Sequence, residues 1–203
     1  MTYTVHSLFR TIQGEGLNTG RIAVFCRFAG CNLWTGREED RATAICQFCD
    51  TEFRGGEKYR SAGALARAIK ETWRGPRSEA FVVFTGGEPT LQLDVELVEA
   101  CHWAGFEVAV ESNGTRRGPR VDWLTVSPKA RAPLAITRAD ELKIVFPQEV
   151  DPGEYDGVQA RHRFLSPMDG PDVKANTRAA IDYCMRDPRW RLNIQTHKVI
   201  GVA

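Results

Sequence analysis

The sequence has almost no excess of either charge. Its 203 residues include 27 Lys and Arg against 26 Asp and Glu, so the formal net charge is +1. A protein that binds nucleic acid irrespective of sequence needs a basic excess to neutralise phosphates, and neither the whole chain nor any local block supplies one. The charge balance therefore argues against DNA or RNA as the main ligand.

Long apolar runs are missing as well. No segment approaches the roughly 18 consecutive apolar residues of a membrane span, and the N-terminal stretch MTYTVHSLFR has no apolar core of the secretory type. We therefore expect a cytoplasmic protein whose thiols stay reduced. Internal repeats and low-complexity linkers are also lacking, so residues 1–203 are expected to form one domain.

Short apolar or alternating segments predict strands, and helical patterns lie between them. Apolar residues recur at helical spacing in Ser61–Trp73, Gln92–Trp103 and Asp172–Met185. The predicted strands are Arg21–Phe28, Phe81–Phe84, Glu107–Val110, Val121–Val126, Glu141–Phe146, Arg163–Leu165 and Arg191–Ile194. This alternation predicts an α/β fold with parallel pairing.

The chain is short for a closed barrel. A full eight-fold barrel takes about 250 residues, and the connections that link ESNGT, SPK, KIVF and SPMDG are too short for regular helices. We therefore expect an incomplete parallel β/α barrel. The clusters TGGEP, ESNGT, SPK, SPMDG and QTHK each follow a predicted strand, where ligands bind in such folds, so they should line one mouth.

Three of the six cysteines lie in the N-terminal quarter. Fourteen residues separate Cys31 from Cys46, and two separate Cys46 from Cys49. A structural zinc site takes four protein ligands, and no fourth lies close by in the sequence. Three thiolates on a four-iron cluster would leave one iron open, as catalytic metal sites do. The spacing favours the cluster and leaves zinc as the alternative.

The segment Thr85–Pro89, TGGEP, follows a predicted buried strand. Its two glycines let the backbone approach a ligand closely, and Glu88 could accept hydrogen bonds from an ammonium group. A tight strand-to-helix turn, with Pro89 near the start of the helix, is the alternative interpretation.

Several segments together resemble one enzyme family. TIQGEG, CRFAGCN, CQFCDT, FTGGEP, ESNGT, SPK and QTHKV are similar to the 7-carboxy-7-deazaguanine synthases of the radical S-adenosylmethionine superfamily, and the resemblance covers nearly the whole chain. The superfamily usually has a much shorter gap between the first two cysteines, but some deazaguanine synthases share the long one. The charged insertion, Thr35–Ala44, is expected to be a solvated excursion.

The resemblance implies a [4Fe–4S] cluster on the catalytic residues Cys31, Cys46 and Cys49, with S-adenosyl-L-methionine on the open iron. Taken singly, Lys129 would be a surface lysine and Asn113 part of an Asn-Gly turn. The residues implied to contact S-adenosylmethionine are Phe48, Gly86, Gly87, Glu88, Ser112, Asn113, Ser127, Lys129, Gln148, Met168 and Asp169.

The family's substrate is 6-carboxy-5,6,7,8-tetrahydropterin, which needs acceptors for its N–H groups and a cation for its carboxylate. Arg27 could bind that carboxylate in a bidentate pair. Thr51 matches the position of the family's magnesium ligand, and Mg²⁺ often takes few protein ligands. The implied substrate contacts are Gln13, Gly14, Glu15, Arg27, Thr90, Gln195 and His197.

The implied activity is that of a lyase in queuosine biosynthesis. A radical-mediated, Mg²⁺-dependent ring contraction gives 7-carboxy-7-deazaguanine and ammonia, with an electron donor such as a flavodoxin and a homodimeric enzyme. One alternative is another radical S-adenosylmethionine enzyme, such as a protein-radical activase, against which QGEG and Arg27 argue. The other is a non-catalytic zinc-binding module, which would not explain the polar clusters.

Overall fold

Seven strands run parallel in a nine-stranded sheet of order β3-β1-β2-β4-β5-β6-β7-β8-β9. The computed structural model describes residues 1–202. The strands are β1 Tyr3–Ile12, β2 Ile22–Phe28, β3 Glu57–Tyr59, β4 Phe81–Gly86, β5 Glu107–Ser112, β6 Trp123–Val126, β7 Arg138–Phe146, β8 Gln159–Pro167 and β9 Arg191–Leu192. The α-helices are α1 Ala62–Thr72, α2 Val95–Ala104, α3 Val173–Arg186 and α4 Thr196–Ile200.

Pairing is parallel from β2 through β9, whereas β1 pairs antiparallel with both β2 and β3. Strands β3 and β9 are the two edges, and no pairing within residues 1–202 joins them. The prediction of an incomplete parallel barrel is therefore confirmed. No helix in this part of the chain is long and apolar enough to cross a membrane.

Helices cover one face of the sheet, near its two ends. Apolar residues of α1 and α2 pack against β1, β2, β4 and β5, where Leu65, Ile69 and Leu97 are completely buried. Farther along the same face, Ala180 of α3 packs near Trp190 against β7 and β8. Between β5 and β7 the connections contain no regular helix, as their lengths predict. The opposite face of the sheet is left to line the interior of the partial barrel.

Most predicted elements are present with shifted ends. Helix α2 begins at Val95 and not at Gln92, because Asp94 caps it: Asp94 Oδ1 accepts a hydrogen bond of 2.9 Å from Leu97 N. Gln92 instead accepts a 2.7 Å hydrogen bond from Thr4 N. Strands β1 and β3 and helix α4 were not predicted. Nor were four short 3₁₀ helices, namely Glu38–Thr43, Arg77–Glu79, Pro89–Leu91 and Pro152–Tyr155.

Asp94 also accepts a hydrogen bond from β1, so replacing it tests how much the contact between α2 and the sheet stabilises the protein. The hydroxyl of the buried Tyr3 donates to Asp94 at 2.8 Å. In D94A the helix loses its cap, at a cost of about 1 kcal/mol, and the tyrosine hydroxyl loses its acceptor, at about 1–3 kcal/mol. We expect the free energy of unfolding in urea to fall by roughly 2–4 kcal/mol. The exposed neighbour variant E96A should change it far less.

Candidate active site

A cavity of about 640 Å³ opens at the carboxyl ends of the parallel strands. All five predicted polar clusters contribute to its wall, together with the turn between β1 and β2, which carries QGEG, and the loop that carries Cys46 and Cys49. A groove of about 700 Å³ on the outer surface, between β1, β3 and α1, contains none of the predicted site residues. The predicted chemistry therefore converges on the first cavity.

Most of the residues predicted for binding or catalysis line this cavity. The structure brings these residues together from the first turn to the last helix, over a sequence separation of more than 180 residues. They are Gln13, Gly14, Glu15, Arg27, Cys31, Cys46, Phe48, Cys49, Thr51, Gly86, Gly87, Ser112, Asn113, Ser127, Lys129, Met168, Asp169, Gln195 and His197.

Glu88 does not face the cavity as an ammonium acceptor. It is completely buried, and its Oε1 accepts hydrogen bonds from Thr90 N at 3.0 Å, Thr90 Oγ1 at 2.6 Å and Ser112 Oγ at 2.8 Å. Its Oε2 accepts one from Asn113 N at 2.7 Å. The carboxylate thus connects the end of β4 to the end of β5. Thr90 donates its backbone N–H and its hydroxyl to Glu88 and does not face the cavity, where a substrate contact was predicted.

Gln148 is also placed differently from its predicted contact with S-adenosylmethionine. Its Oε1 accepts a hydrogen bond from Ala130 N at 2.8 Å, and its Nε2 donates to Val145 O at 2.8 Å. The amide group therefore fixes the loop that follows Ser127 and Lys129. Gln148 supports the wall from behind, and its predicted direct contact is not what the structure shows.

The two glycines of TGGEP serve a close approach between protein segments. A Cβ on Gly86, whose φ is +125°, would lie 2.3 Å from Phe28 O, and a Cβ on Gly87 would lie 2.0 Å from Gly30 O. Gly87 would also meet the Cβ of Cys31 at 2.9 Å. The glycines are therefore needed for packing within the protein, because only residues without a Cβ let the end of β4 lie against the loop that carries Cys31.

The three cysteines face the cavity in different protonation environments. Burial raises the pKa of the Cys31 thiol, while Leu33 N donates to its sulfur at 3.4 Å. A hydrogen bond from Cys46 lowers the pKa of Cys49 to about 6, and the same bond raises that of Cys46. The shared hydrogen bond thus favours the thiolate of Cys49, and the thiolate is the form that binds metal. Cys26 and Cys101 are buried among apolar residues, whereas Cys184 is half-buried.

A single metal ion and a [4Fe–4S] cluster need different spacings between their protein ligands. Within residues 1–202, no three His, Cys, Asp or Glu side chains are grouped closely enough to hold one metal ion. A zinc ion with sulfur bonds of about 2.3 Å would need such a group. In a [4Fe–4S] cluster each thiolate binds its own iron, so the thiolates can lie farther apart. The three cysteines lie on one wall of the cavity, as the ligands of such a cluster would.

The charged insertion is not a free excursion. Its 3₁₀ helix places Arg41 against the cysteine loop, where Nη1 donates to Gln47 O at 2.8 Å and to Cys49 O at 3.1 Å. The same guanidinium lies 4.1 Å from the centre of the Trp34 ring. The expected solvated excursion is therefore wrong in part: Glu38 and Glu39 are exposed, but Arg41 holds the backbone between the paired cysteines.

Two half-buried cations, Lys129 and Arg27, face the cysteine side of the cavity. Lys129 Nζ donates to Ser127 O at 2.7 Å and to Ser127 Oγ at 2.8 Å, so it is not the surface lysine of the alternative interpretation. Burial lowers the pKa of Lys129 and that of Arg27, while nearby thiols or carboxylates oppose the shift. These cations provide positive potential beside groups that become negative when they bind metal or a carboxylate ligand.

Five charged residues of the wall were not among the predicted site residues, and three of them lie in regular elements, whereas Asp50 and Glu52 follow the cysteine pair. Glu111 and Lys143 lie within strands, and Lys198 lies in α4. Glu111 opens the ESNGT motif, and this was the one available signal for it. Lys143 interrupts the otherwise apolar run LKIVF, a pattern that a buried ion pair could have explained. Lys198 is the last residue of QTHK, and its place in that cluster was the one signal for it.

The last helix closes one side of the cavity. Thr196 N donates to Gly14 O at 3.0 Å, and a Cβ on Gly14 would lie 2.1 Å from His197 Nδ1. Lys198 Nζ pairs at 2.6 Å with Asp50, which precedes Thr51, and at 2.5 Å with Asp169. The C-terminal segment is thus tied to the QGEG turn, to the cysteine loop and to the loop after β8.

Comparisons with known proteins agree with this geometry. The radical SAM superfamily matches residues 40–130. A 7-carboxy-7-deazaguanine synthase of Bordetella pertussis is 54% identical with both chains fully covered, and one of Nitratidesulfovibrio vulgaris is 47% identical, also over the whole of both chains. The crystal structure of QueE from Escherichia coli has a TM-score of 0.73 and 28% identity, and it covers 97% of this chain and 95% of its own.

The contacts of Arg41 predict a measurable effect on cluster retention. In R41A the carbonyls of Gln47 and Cys49 lose charge-assisted hydrogen bonds of about 1.5–3 kcal/mol, so the paired cysteines are held less firmly. After anaerobic reconstitution and desalting, we expect R41A to retain clearly less iron and sulfide per chain than the wild type. The variant R37A, in the same insertion and with a side chain that is 66% exposed, should retain the full amount. Equal retention by R41A and R37A would contradict the role given to Arg41.

Proposed function

The chain belongs to the 7-carboxy-7-deazaguanine synthase family of radical S-adenosylmethionine enzymes, and from this premise we propose that it is a lyase that contracts the ring of 6-carboxy-5,6,7,8-tetrahydropterin. The products are 7-carboxy-7-deazaguanine and ammonia. The observation that carries the proposal is the one cavity in which three cysteines, a half-buried arginine and the QGEG turn meet. Its volume suits a small bicyclic substrate beside a cofactor.

Cys31, Cys46 and Cys49 would hold the [4Fe–4S] cluster, and the residues beside them would hold S-adenosylmethionine. The bound pair supplies the one-electron chemistry that removes a hydrogen atom from the substrate. Phe48, between the paired cysteines, would lie against the adenine, and the backbone of Gly86 and Gly87 would approach the methionine group. In this scheme Glu88 does not accept hydrogen bonds from the methionine ammonium group, since its carboxylate already accepts four hydrogen bonds from the protein.

The substrate would be held at its two ends. Arg27, on β2, would pair with the carboxylate through two parallel N–H···O bonds. Gln13, Glu15 and Gln195 would meet the guanidine-like edge, for which amide and carboxylate oxygens are the natural acceptors. Glu15 suits this task because, although burial alone would raise its pKa, Lys143 lowers it to about 2, so the group stays ionised at neutral pH. Fixing both ends orients the ring carbon against the cofactor side.

Enclosure is the protein's second contribution. The contact of α4 with the QGEG turn, together with the Lys198 pairs to Asp50 and Asp169, supports exclusion of water from the reacting centre. A protein-radical activase would have to admit a polypeptide loop at this point. The closed side therefore favours a small molecule as the substrate.

Magnesium is part of the proposal. Thr51 lines the cavity directly after the cysteine pair, and its hydroxyl could serve as the one protein ligand of an ion that otherwise binds water and substrate oxygens. The hydroxyl lies 3.5 Å from Asp50 Oδ1, too far for a strong hydrogen bond, so it is not committed to that neighbour. The donor set is compatible with Mg²⁺ and with its usual reluctance to lose water.

The setting of the reaction follows from the family. We propose a cytoplasmic enzyme in queuosine biosynthesis, acting as one catalytic domain, because a single sheet spans residues 3–192 and all six cysteines are free. An electron donor such as a flavodoxin and a homodimeric state are proposed from the family resemblance alone.

The proposal is tested by anaerobic reconstitution followed by turnover. The expected result is about four iron and four sulfide per chain, followed by formation of 7-carboxy-7-deazaguanine from the carboxytetrahydropterin with reductant and S-adenosylmethionine. C46A should assemble no catalytic cluster and be inactive. Stoichiometric zinc without sulfide would overturn the cofactor assignment, and a loaded enzyme that leaves the pterin unchanged would overturn the substrate.

Arg27 provides a test of substrate orientation. R27A loses a bidentate charged contact of about 3 kcal/mol, so the dissociation constant for the carboxytetrahydropterin should rise on the order of a hundredfold. Binding of S-adenosylmethionine, measured by calorimetry, should be unchanged. R67A, an exposed arginine of α1, is the matched control. Unchanged pterin affinity in R27A would refute the carboxylate contact.

Thr51 provides a test of the magnesium site. T51V keeps the shape of the side chain and removes the oxygen, so the Mg²⁺ concentration for half-maximal activity should rise about tenfold, while iron content stays the same. T51S, which keeps the hydroxyl, should behave like the wild type. If T51V and the wild type respond identically to Mg²⁺, Thr51 is not the ligand.

A further inference from the structure

A lysine lies within the apolar core of strand β7, at the wall of the cavity. The whole Lys143 residue is 7% exposed, and its neighbours along the strand, Leu142 and Ile144, are completely buried. Lysine is rarely buried unless it is paired, because an unpaired ammonium group loses its hydration. Lys143 must therefore be explained by the groups around it.

Carboxylates from three segments surround the Lys143 ammonium group. It forms an ion pair with Glu15 of the QGEG turn and lies 3.9 Å from Glu111 Oε1 on β5. Glu141 of β7, which is also buried, accepts hydrogen bonds from Leu17 N at 3.0 Å and Trp123 Nε1 at 2.8 Å. The single ammonium group of Lys143 thus attracts all three carboxylates and offsets their mutual repulsion.

The two carboxylates that line the cavity are held in fixed orientations. Glu15 Oε1 accepts a hydrogen bond from Gln195 Nε2 at 2.8 Å, which leaves Oε2 to Lys143. Glu111 accepts from Gln13 Nε2 at 3.0 Å and from Thr85 Oγ1 at 3.3 Å. An ionised carboxylate has about four acceptor positions, so each retains capacity toward the cavity.

We propose that Lys143 is a positioning residue that holds the carboxylates of Glu15 and Glu111 in the orientation in which they accept hydrogen bonds from the N–H groups of the substrate. The inference rests on the proposed function, because it assigns a supporting group to the edge of the pterin that the QGEG turn contacts. Lys143 has no direct contact with the substrate in this scheme. It acts through the carboxylates.

Removal of the cation would change what Glu15 can do. Burial raises the pKa of a carboxyl group, and Lys143 supplies the main opposing attraction, with a smaller one from His197. The other charged groups that face Lys143 are Glu111, Glu141 and Lys129. A protonated Glu15 would present a donor where the substrate also presents donors.

The pH dependence of substrate affinity is set by the ionisation of Glu15. In the wild type Lys143 opposes the effect of burial and keeps the pKa of Glu15 well below neutral, so its contribution to substrate binding is constant from pH 6 to 8.5. Without Lys143 the pKa rises, and the binding-competent form is lost as the pH falls through the new value. Below that value, affinity falls about tenfold for each pH unit, because one proton must be released on binding.

The experiment measures binding without turnover. The reconstituted enzyme is loaded with S-adenosylmethionine and Mg²⁺ in the absence of reductant, and the dissociation constant for the carboxytetrahydropterin is determined by anaerobic calorimetry from pH 6 to 8.5. The quantity compared is the ratio of K143M to wild type, since this ratio cancels protonation of the ligand itself. We expect the ratio to rise steeply toward pH 6.

Matched variants separate charge from structure. K143R retains a cation and should give a ratio that does not vary with pH, and K174M removes an exposed lysine of α3 and should bind like the wild type. If K143M does not fold, K143Q is measured in its place, and the same rise toward low pH is expected. A ratio that is constant with pH in the folded neutral variant overturns the inference. Failure of the wild type to bind the pterin would instead overturn the proposed function.

Discussion

The site depends on the turn between β1 and β2 reaching across the open sheet. Backbone and side-chain hydrogen bonds fix it there: Gly14 O accepts from Thr196 N, Gly16 N donates to Asn193 Oδ1 at 2.7 Å, and Leu17 N donates to Glu141. A barrel with unpaired edges has no ladder of its own to join its first and last strands. The turn makes that connection through polar contacts. The segment that contacts the proposed substrate is therefore also the segment that joins the two ends of the open sheet.

A second connection joins the cofactor side. The carboxylate of Glu88, entirely inside the protein, holds the end of β4 to the end of β5, and the two glycines before it allow the Cys31 loop to lie directly against β4. Arg41 does the equivalent for Cys46 and Cys49 from the outside. The cysteines lie on loops, but each loop is fastened to a strand end or to a charged side chain, which is how a loop achieves the precision that metal binding needs.

The sequence predicted the parts of this arrangement that depend on local pattern. The run Phe81–Phe84 is buried on both faces and reads as a parallel strand, and short connections correctly indicated missing helices. Strand β1 was missed because only alternate residues near its start are buried and the rest face the cavity or solvent. The directions of Glu88 and Gln148 depend on distant donors, Asn113 N and Ala130 N, that no local pattern identifies. Lys143 was missed for the same reason, since its partner Glu15 is 128 positions away.

The ties between the last helix and the first turn have a consequence for the order in which the chain is made. Ribosomes release the cysteine loop long before Asn193, Gln195 and Lys198, which complete the other wall. The metal-binding half of the cavity can therefore fold against β2 and β4 while the pocket is still open along one side. Assembly of the iron–sulfur centre would have free access during that interval, and α4 would cover the site only once its own residues have been made.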